Sequence, residues 1–313
     1  MNRHQLSRSL MLLAAALIWG VSYVAQSDAL NYTGPLTFMF ARSFVSCLVL
    51  GPMALIFHHR DAVHVRLNPR ERRDRIRLTL KVGALSGIVF GIAVAAQQIG
   101  QGYTSVGKAG FITGIYIIWV PLIGLFFRRR ISPGLWPIVA LAVIGLYVLC
   151  IDGSTGINIG DLYCLVTSLF VAMHILILAR WAHSASGFLL SFQQYFIMTI
   201  FMGILMLFFE TPRLGDILAA WKPLLYTAVL SNAGAGTLQI FGQRDMNSTV
   251  ASLIMSLEAP LAVLSGLLIL GQRMSARELI GCLIMFVAIV LAQLPLPGTR
   301  RMAEDAQRQV EAE

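Results

Sequence analysis

The chain has 313 residues, 57% of them hydrophobic and 12% charged, with a formal net charge of +9 and a mean hydropathy of +0.74. Soluble domains run nearer roughly 45–50% apolar and about 25% charged, so this sequence has too little charge to cover a globular surface. A soluble enzyme or binding module is excluded, and a multi-pass membrane protein is indicated.

A helix crosses the roughly 30 Å hydrocarbon layer with about 20 apolar residues. Ten such runs follow one another, at 10–28, 36–57, 82–99, 105–127, 135–151, 159–180, 187–209, 222–242, 249–270 and 278–295. None alternates with the period of two expected of a membrane β-strand, so helices are the backbone form left that satisfies its own hydrogen bonds in lipid. No small-residue cleavage signal follows the first run, which reads as helix 1 and not as a signal peptide. It carries Trp19, Ser22, Tyr23 and Gln26 at steps of three and four.

Helix 2 holds Arg42 seven residues after Pro35, about 10 Å below the outer surface. It either snorkels outward or faces a polar cavity. The connection "RDAVHVRLNPRERRDRIRLTLK" (60–81) is basic and suits contact with anionic headgroups. His58, His59 and His64 lie near it without the Cys or carboxylate pattern of a metal site. Helix 3 repeats Gly83, Gly87 and Gly91, a spacing that lets helices approach closely. It ends with Gln97 and Gln101.

Helix 4, "SVGKAGFITGIYIIWVPLIGLFF" (105–127), contains Lys108, about 5 Å inside its outer end. Either the lysine stem reaches the headgroups, or the amine shares a face with Ile112, Ile115 and Trp119 above an aromatic floor. Tyr116 is a further candidate contact. Pro121 frees the carbonyl of Ile117 and makes a candidate hinge. In the second half, His174 and Gln194 add polar groups to helices 6 and 7, while Asn232, Gln239 and Gln243 share a face of helix 8. Each is either an interhelical hydrogen bond or a ligand contact.

Glu258 lies about 15 Å along helix 9, near the bilayer midplane. A glutamate cannot reach water from there, so it must meet a cation, a donor or internal water, or take up a proton. It is a candidate proton carrier; the alternative is a protonated packing residue. Pro260 follows, removes an amide donor and frees the carbonyl of Ser256, a second candidate hinge. A broken helix beside a midplane acid is a geometry used in transport sites. The cysteines, Cys47, Cys150, Cys164 and Cys282, show no paired spacing and give no support to a disulfide framework.

With the N-terminus in the cytoplasm, eighteen of the 24 Lys and Arg residues fall on the inner side. Only Arg213, Lys222, Arg273 and Arg277 fall outside, and Arg42 and Lys108 within spans. That is a strong positive-inside bias, and it accounts for the net charge without nucleic acid. Sliding the chain by 143 places 103–132 on 246–275 without a gap, and an offset of 152 places Arg42 on Gln194. Each half would then hold five helices. Five is odd, so the second half enters the membrane inverted, as in many secondary transporters. The expected units are residues 1–152, 153–298 and a polar cytoplasmic tail, 299–313.

The segments "LIWGVSYVAQ" (17–26), "GPLTFMFARS" (34–43), "QQIGQGYTSVGKAGFITGIYIIWVPL" (97–122) and "ASLIMSLEAPLAVLSGLLILGQRMSARELIGC" (251–282) resemble the EamA family of the drug/metabolite transporter superfamily. The resemblance implies an all-α membrane protein of ten helices in two inverted repeats, acting as a carrier and often as an exporter of small metabolites or amino acids. The family often has a Glu after the last turn of helices 4 and 9; here Arg129 and Gln272 stand there. Helix 1 has no carboxylate between residues 10 and 27, which argues against drug–proton exchange of the kind used by the related small multidrug resistance proteins.

The expectation is a secondary transporter in the bacterial inner membrane, both termini cytoplasmic, exporting a small polar or amphipathic metabolite such as an amino acid by alternating access with proton coupling. Its partners are that small-molecule substrate and the lipid bilayer; no cofactor, metal or nucleic acid is implied, and the sequence does not choose between monomer and homodimer. The alternatives are an organic-cation efflux carrier, a channel, or a membrane-embedded enzyme, the last lacking any His-Glu-x-x-His segment or paired aspartates.

Overall fold

The computed structural model describes residues 3–64, 68–104, 106–126, 133–150, 158–270 and 276–293. Among them every regular element is helical. The first half comprises α1 (Arg3–Ala29), α2 (Pro35–His64), α3 (Pro69–Gln101), α4 (Val106–Gly114), α5 (Tyr116–Phe126) and α6 (Leu135–Cys150). The second comprises α7 (Ile159–Trp181), α8 (Gly187–Phe209), α9 (Leu214–Ala219), α10 (Trp221–Leu225), a π-helical segment (Tyr226–Ala235), α11 (Gly236–Gly242), α12 (Ser248–Met255), α13 (Glu258–Leu270) and α14 (Ala276–Gln293).

Seven stretches are long and apolar enough to cross a membrane, and Leu135–Gly145 and Leu279–Ala288 form shorter apolar helices. Run 222–242 is divided by the π-helical turn, while runs 105–127 and 249–270 each break near the middle. The basic connection differs from its sequence reading, because much of it is helical. Asn68 accepts from the Arg70 and Glu71 amides while Glu71 accepts from the Asn68 amide, and Pro69 needs no donor at this position. This capping box starts α3 well before its apolar run. The tail 299–313 and the triplet Arg128, Arg129 and Arg130 lie outside the described residues.

The halves interlock as counterparts. α2 packs on α8, α6 on α14, and α4–α5 on α12–α13. The other contacts come in matched pairs: α3 on α7 as α1 on the π-helical segment and α11; α3 on α8 as α2 on the π-helical segment; α1 on α13 as α7 on α4 and α5. Exchanging the halves maps this set onto itself, the pattern of a pseudo-two-fold. Two pairs run antiparallel. α4 meets α13 while α5 meets α12, and Glu210, just past the end of α8, accepts from the amides of Leu36 and Thr37 in the first turn of α2. The glycine stripe of α3 lies where α8 approaches: a Cβ on Gly83 would meet Gln193, and one on Gly87 the Gln194 carbonyl.

Contacts between connections also sort by end. Arg8 on α1 pairs with Asp245 at 2.9 Å and donates to the Arg244 carbonyl. Arg244 donates in turn to the carbonyls of Ala182 and Ala185 after α7, each at 3.1 Å. At the opposite end, Thr104 after α3 donates to Asp161 and Asn158 donates to the Tyr103 carbonyl.

Candidate functional site

The site begins with the π-helical segment. Its i→i+5 bonding widens the turn and leaves carbonyls for other partners. Trp19 Nε1 donates to the Ser231 carbonyl at 3.3 Å, and Ser46 Oγ donates to the Ala228 carbonyl at 2.9 Å. Ser22 Oγ reaches Ser231 Oγ at 3.1 Å. Polar side chains of α1 and α2 thus occupy the irregular stretch of the second half.

Arg42 sits among these bonds, 3% exposed. Its Nη1 donates to Gln26 Oε1 at 3.0 Å and its Nη2 to Asn232 Oδ1. Gln26 is fixed by its own donation to Ser22, and its carbonyl accepts from Gln98. Of the two readings left open by sequence, outward escape does not describe this buried guanidinium. Among the described residues it meets no carboxylate, the salt bridge there being Arg8–Asp245. Arg42 Nε, Asn232 Nδ2 and the Tyr195 hydroxyl are buried without a hydrogen-bond partner, and Tyr195 is close enough to feel the Arg42 charge.

Glu258 is a further buried ionisable group, 7% exposed and the first residue of α13. The break before it can be followed bond by bond. Ser256 N still reaches the Ser252 carbonyl at 2.9 Å, but Leu257 N turns to Ile254. The bypassed Leu253 carbonyl is taken by Ser256 Oγ at 2.8 Å. The Ser256 carbonyl, which the sequence reading leaves free because Pro260 cannot donate to it, instead accepts from Ala259 N at 3.2 Å. The Glu258 carboxyl faces the Tyr116 hydroxyl, short of regular hydrogen-bond geometry, and lies within electrostatic range of Tyr23. Gln97 Nε2 donates to the Tyr23 hydroxyl at 2.9 Å.

The other candidates divide. His174 Nε2 and Gln194 Oε1 lie 2.9 Å apart, with Phe90 stacked on the imidazole. The 152 offset places Gln194 on Arg42, and each reaches sideways to the first helix of its own half. Trp119 Nε1 donates to Ser168 at 3.1 Å. Gln239 is buried on α11. The Lys108 side chain lies outside the described residues. Pro121 is buried inside α5, and the interruption in that half falls earlier, at Ile115. The structure therefore brings together Trp19, Ser22 and Arg42 on one side, and Tyr23, Gln97, Tyr116 and Glu258 on the other, with α1 contributing to both. Ser46, Gln98, Tyr195 and Ser231 join the polar set without having been singled out from sequence. The readable signal was the adjacent pair Ser231-Asn232 inside an apolar run; the hydroxyls resemble ordinary interhelical bonds.

A model of the EamA-like transporter family matches residues 6–151 and again residues 158–294. A protein of Archaeoglobus fulgidus described as an uncharacterized transporter is 26% identical over 296 residues, covering 93% of this chain and 87% of its own. One solved crystal structure superposes with a TM-score of 0.71 over 92% of this chain and 96% of the other, at 14% identity, a likeness of fold alone.

Proposed function

The chain belongs to the EamA-like transporter family, and from that premise we propose a secondary transporter that exports a small polar or amphipathic metabolite, such as an amino acid, by alternating access. Membership makes it a multi-pass membrane transporter and points away from an enzyme class. The proposal extends this to ten spans in two inverted units, residues 1–152 and 153–298, with the tail 299–313 and the N-terminus both cytoplasmic in a bacterial inner membrane. The antiparallel pairing of α2 with α8 and of α4–α5 with α12–α13 supports inversion, since a two-fold along the membrane normal would leave counterparts parallel. The connections that touch one another are also those that alternation assigns to one side.

The observation that carries the reading is a buried polar belt drawn from both halves: Arg42 and Tyr23 from the first, Asn232 and Glu258 from the second. Buried ionisable groups in a membrane protein mark solute or proton paths. Glu258, at a helix break, is the group assigned to proton coupling. Purified protein in proteoliposomes, under an imposed pH gradient and offered labelled amino acids and organic cations, tests this. Uphill movement by the wild type and its loss in a folded Glu258→Gln variant are expected; an unchanged pH dependence refutes the proton role. Saturable counterflow separates a carrier from a channel, and sided vesicles assign direction.

A second reading, organic-cation efflux, is favoured by one feature. Glu258 is a buried acid at a helix break, and Tyr23 and Tyr116 are buried within its electrostatic range, residue types of the kind that hold quaternary ammonium groups. Counterflow with organic cations in place of amino acids would select it.

A further inference from the structure

Within the carrier reading, on which this inference rests, we propose that Arg42 is the anion-binding point of the site. It receives the carboxylate of the cargo, which is therefore a small organic acid or amino acid. A guanidinium has five N–H donors. The protein engages two of the side-chain nitrogens, through Gln26 and Asn232, both neutral acceptors. Nε has none. A buried charge held only by neutral amides is uncompensated, and a carboxylate on the unpaired edge of the fork supplies what the fold does not.

Three further observations converge. The Asn232 amide that accepts from Arg42 leaves its own Nδ2 donor without a partner, and the buried Tyr195 hydroxyl is likewise unsatisfied. The group therefore has donors in excess around one positive charge, the composition of a monoanion receptor. A phosphate dianion would call for a second cation, and no other Lys or Arg is among the buried residues described. The nearest chemical alternative, internal neutralisation by Glu258, is not what the structure holds: among the described residues Arg42 and Glu258 form no ion pair.

The pseudo-two-fold supplies an internal control. Gln194 occupies on α8 the place of Arg42 on α2, is 1% exposed, and is satisfied by His174. The architecture accepts a neutral amide at this position, so the charge of Arg42 is not a packing requirement of the fold.

The experiment compares matched acids and amides: leucine with leucinamide, phenylalanine with phenylalaninamide, and 4-methylvalerate with its amide. Binding is read as thermal stabilisation of the purified full-length protein. At least one acid should bind tenfold or more tighter than its amide, and Arg42→Gln should bring the two level. Asn232→Asp is the second variant. It places a carboxylate on the guanidinium from within the protein, so acid binding should fall tenfold or more while ligand-free stability holds or rises. Acids and amides of equal affinity, no stabilisation by any acid, or Asn232→Asp binding acids as the wild type does would each overturn the anion site. Counterflow separates the two ideas: carrier activity on cations unaffected by Arg42→Gln overturns the anion site alone, whereas acid binding without exchange overturns the carrier reading alone.

Discussion

The contacts around Arg8 yield a quantitative prediction. Arg8 on α1 belongs to the first half, Asp245 and Arg244 to the second, and Arg244 in turn holds the turn after α7. In the proposed topology all of these lie on the cytoplasmic side, where under the proposed alternating access the network would hold that end closed. The Arg8 and Asp245 side chains are 28% and 59% exposed, which limits their ion pair to about 0–1 kcal/mol. The bond to the Arg244 carbonyl adds about 1 kcal/mol. A total of about 1–2 kcal/mol corresponds to roughly 5–30-fold in the equilibrium between closed and open cytoplasmic ends. A reporter is available at Ser252, fully buried one turn into α12. In a background with the four native cysteines replaced, Ser252→Cys should react with a membrane-impermeant maleimide from the cytoplasmic side roughly 5–30-fold faster when Arg8→Ala is added. Asp245→Asn should give a smaller increase, and high salt should reproduce that part alone. Rates within twofold of the parent, or equal acceleration from the outer side, refute the latch.

Two other substitutions test the scaffold. Glu210→Ala removes acceptors for the Leu36 and Thr37 amides and the Thr37 hydroxyl, at 2.9, 2.8 and 2.6 Å; as a helix cap this should cost about 1–2 kcal/mol and lower the Tm in detergent, with Glu210→Gln intermediate and an unchanged Tm counting against the cap. Gly20→Val forces a Cβ onto Leu261, whose side chain and carbonyl carbon both lie too near; overpacking of about 1–3 kcal/mol or more is expected. Leu261→Ala should not restore the Tm of Gly20→Val, because the backbone part of the clash persists.

That the chain is built of apolar helices is legible from sequence because lipid enforces composition over about twenty residues at a time. The interruptions are less so. Pro121 marks no break in α5, while Ile115, an unremarkable apolar residue, is where that half divides. The π-helical turn at Tyr226–Ala235 is stabilised by Trp19, Ser22 and Ser46 from elsewhere in the chain, which no local pattern reports. Site residues follow the same rule. Glu258 and Arg42 stand out by their cost in lipid, whereas Asn232 acquires meaning only from the guanidinium it meets. Chemistry that depends on partners distant in sequence is set by packing, and an amide or hydroxyl in an apolar run has many equivalent ways to be satisfied.

The bond pattern around Ser256 bears on how Glu258 is held. Pro260 cannot donate to the Ser256 carbonyl, and Ala259 takes it instead, closing a tighter turn. Pro260→Ala returns an amide that competes for the same carbonyl with the better geometry of an α-helix. α12 and α13 should then merge, releasing Ala259 N to the Met255 carbonyl and Ser256 Oγ from its role at Leu253. Removing proline from a helix interior is worth up to about 3 kcal/mol of helix stability, so the Tm should hold or rise. The merged helix would turn the Glu258 carboxyl away from Tyr116 and Tyr23, and counterflow in proteoliposomes should fall. Stability and transport moving in opposite directions is the signature of a break kept for mechanism. If Pro260→Ala transports at the wild-type rate with a raised Tm, the turn before Glu258 is a packing accommodation and the acid works from a continuous helix.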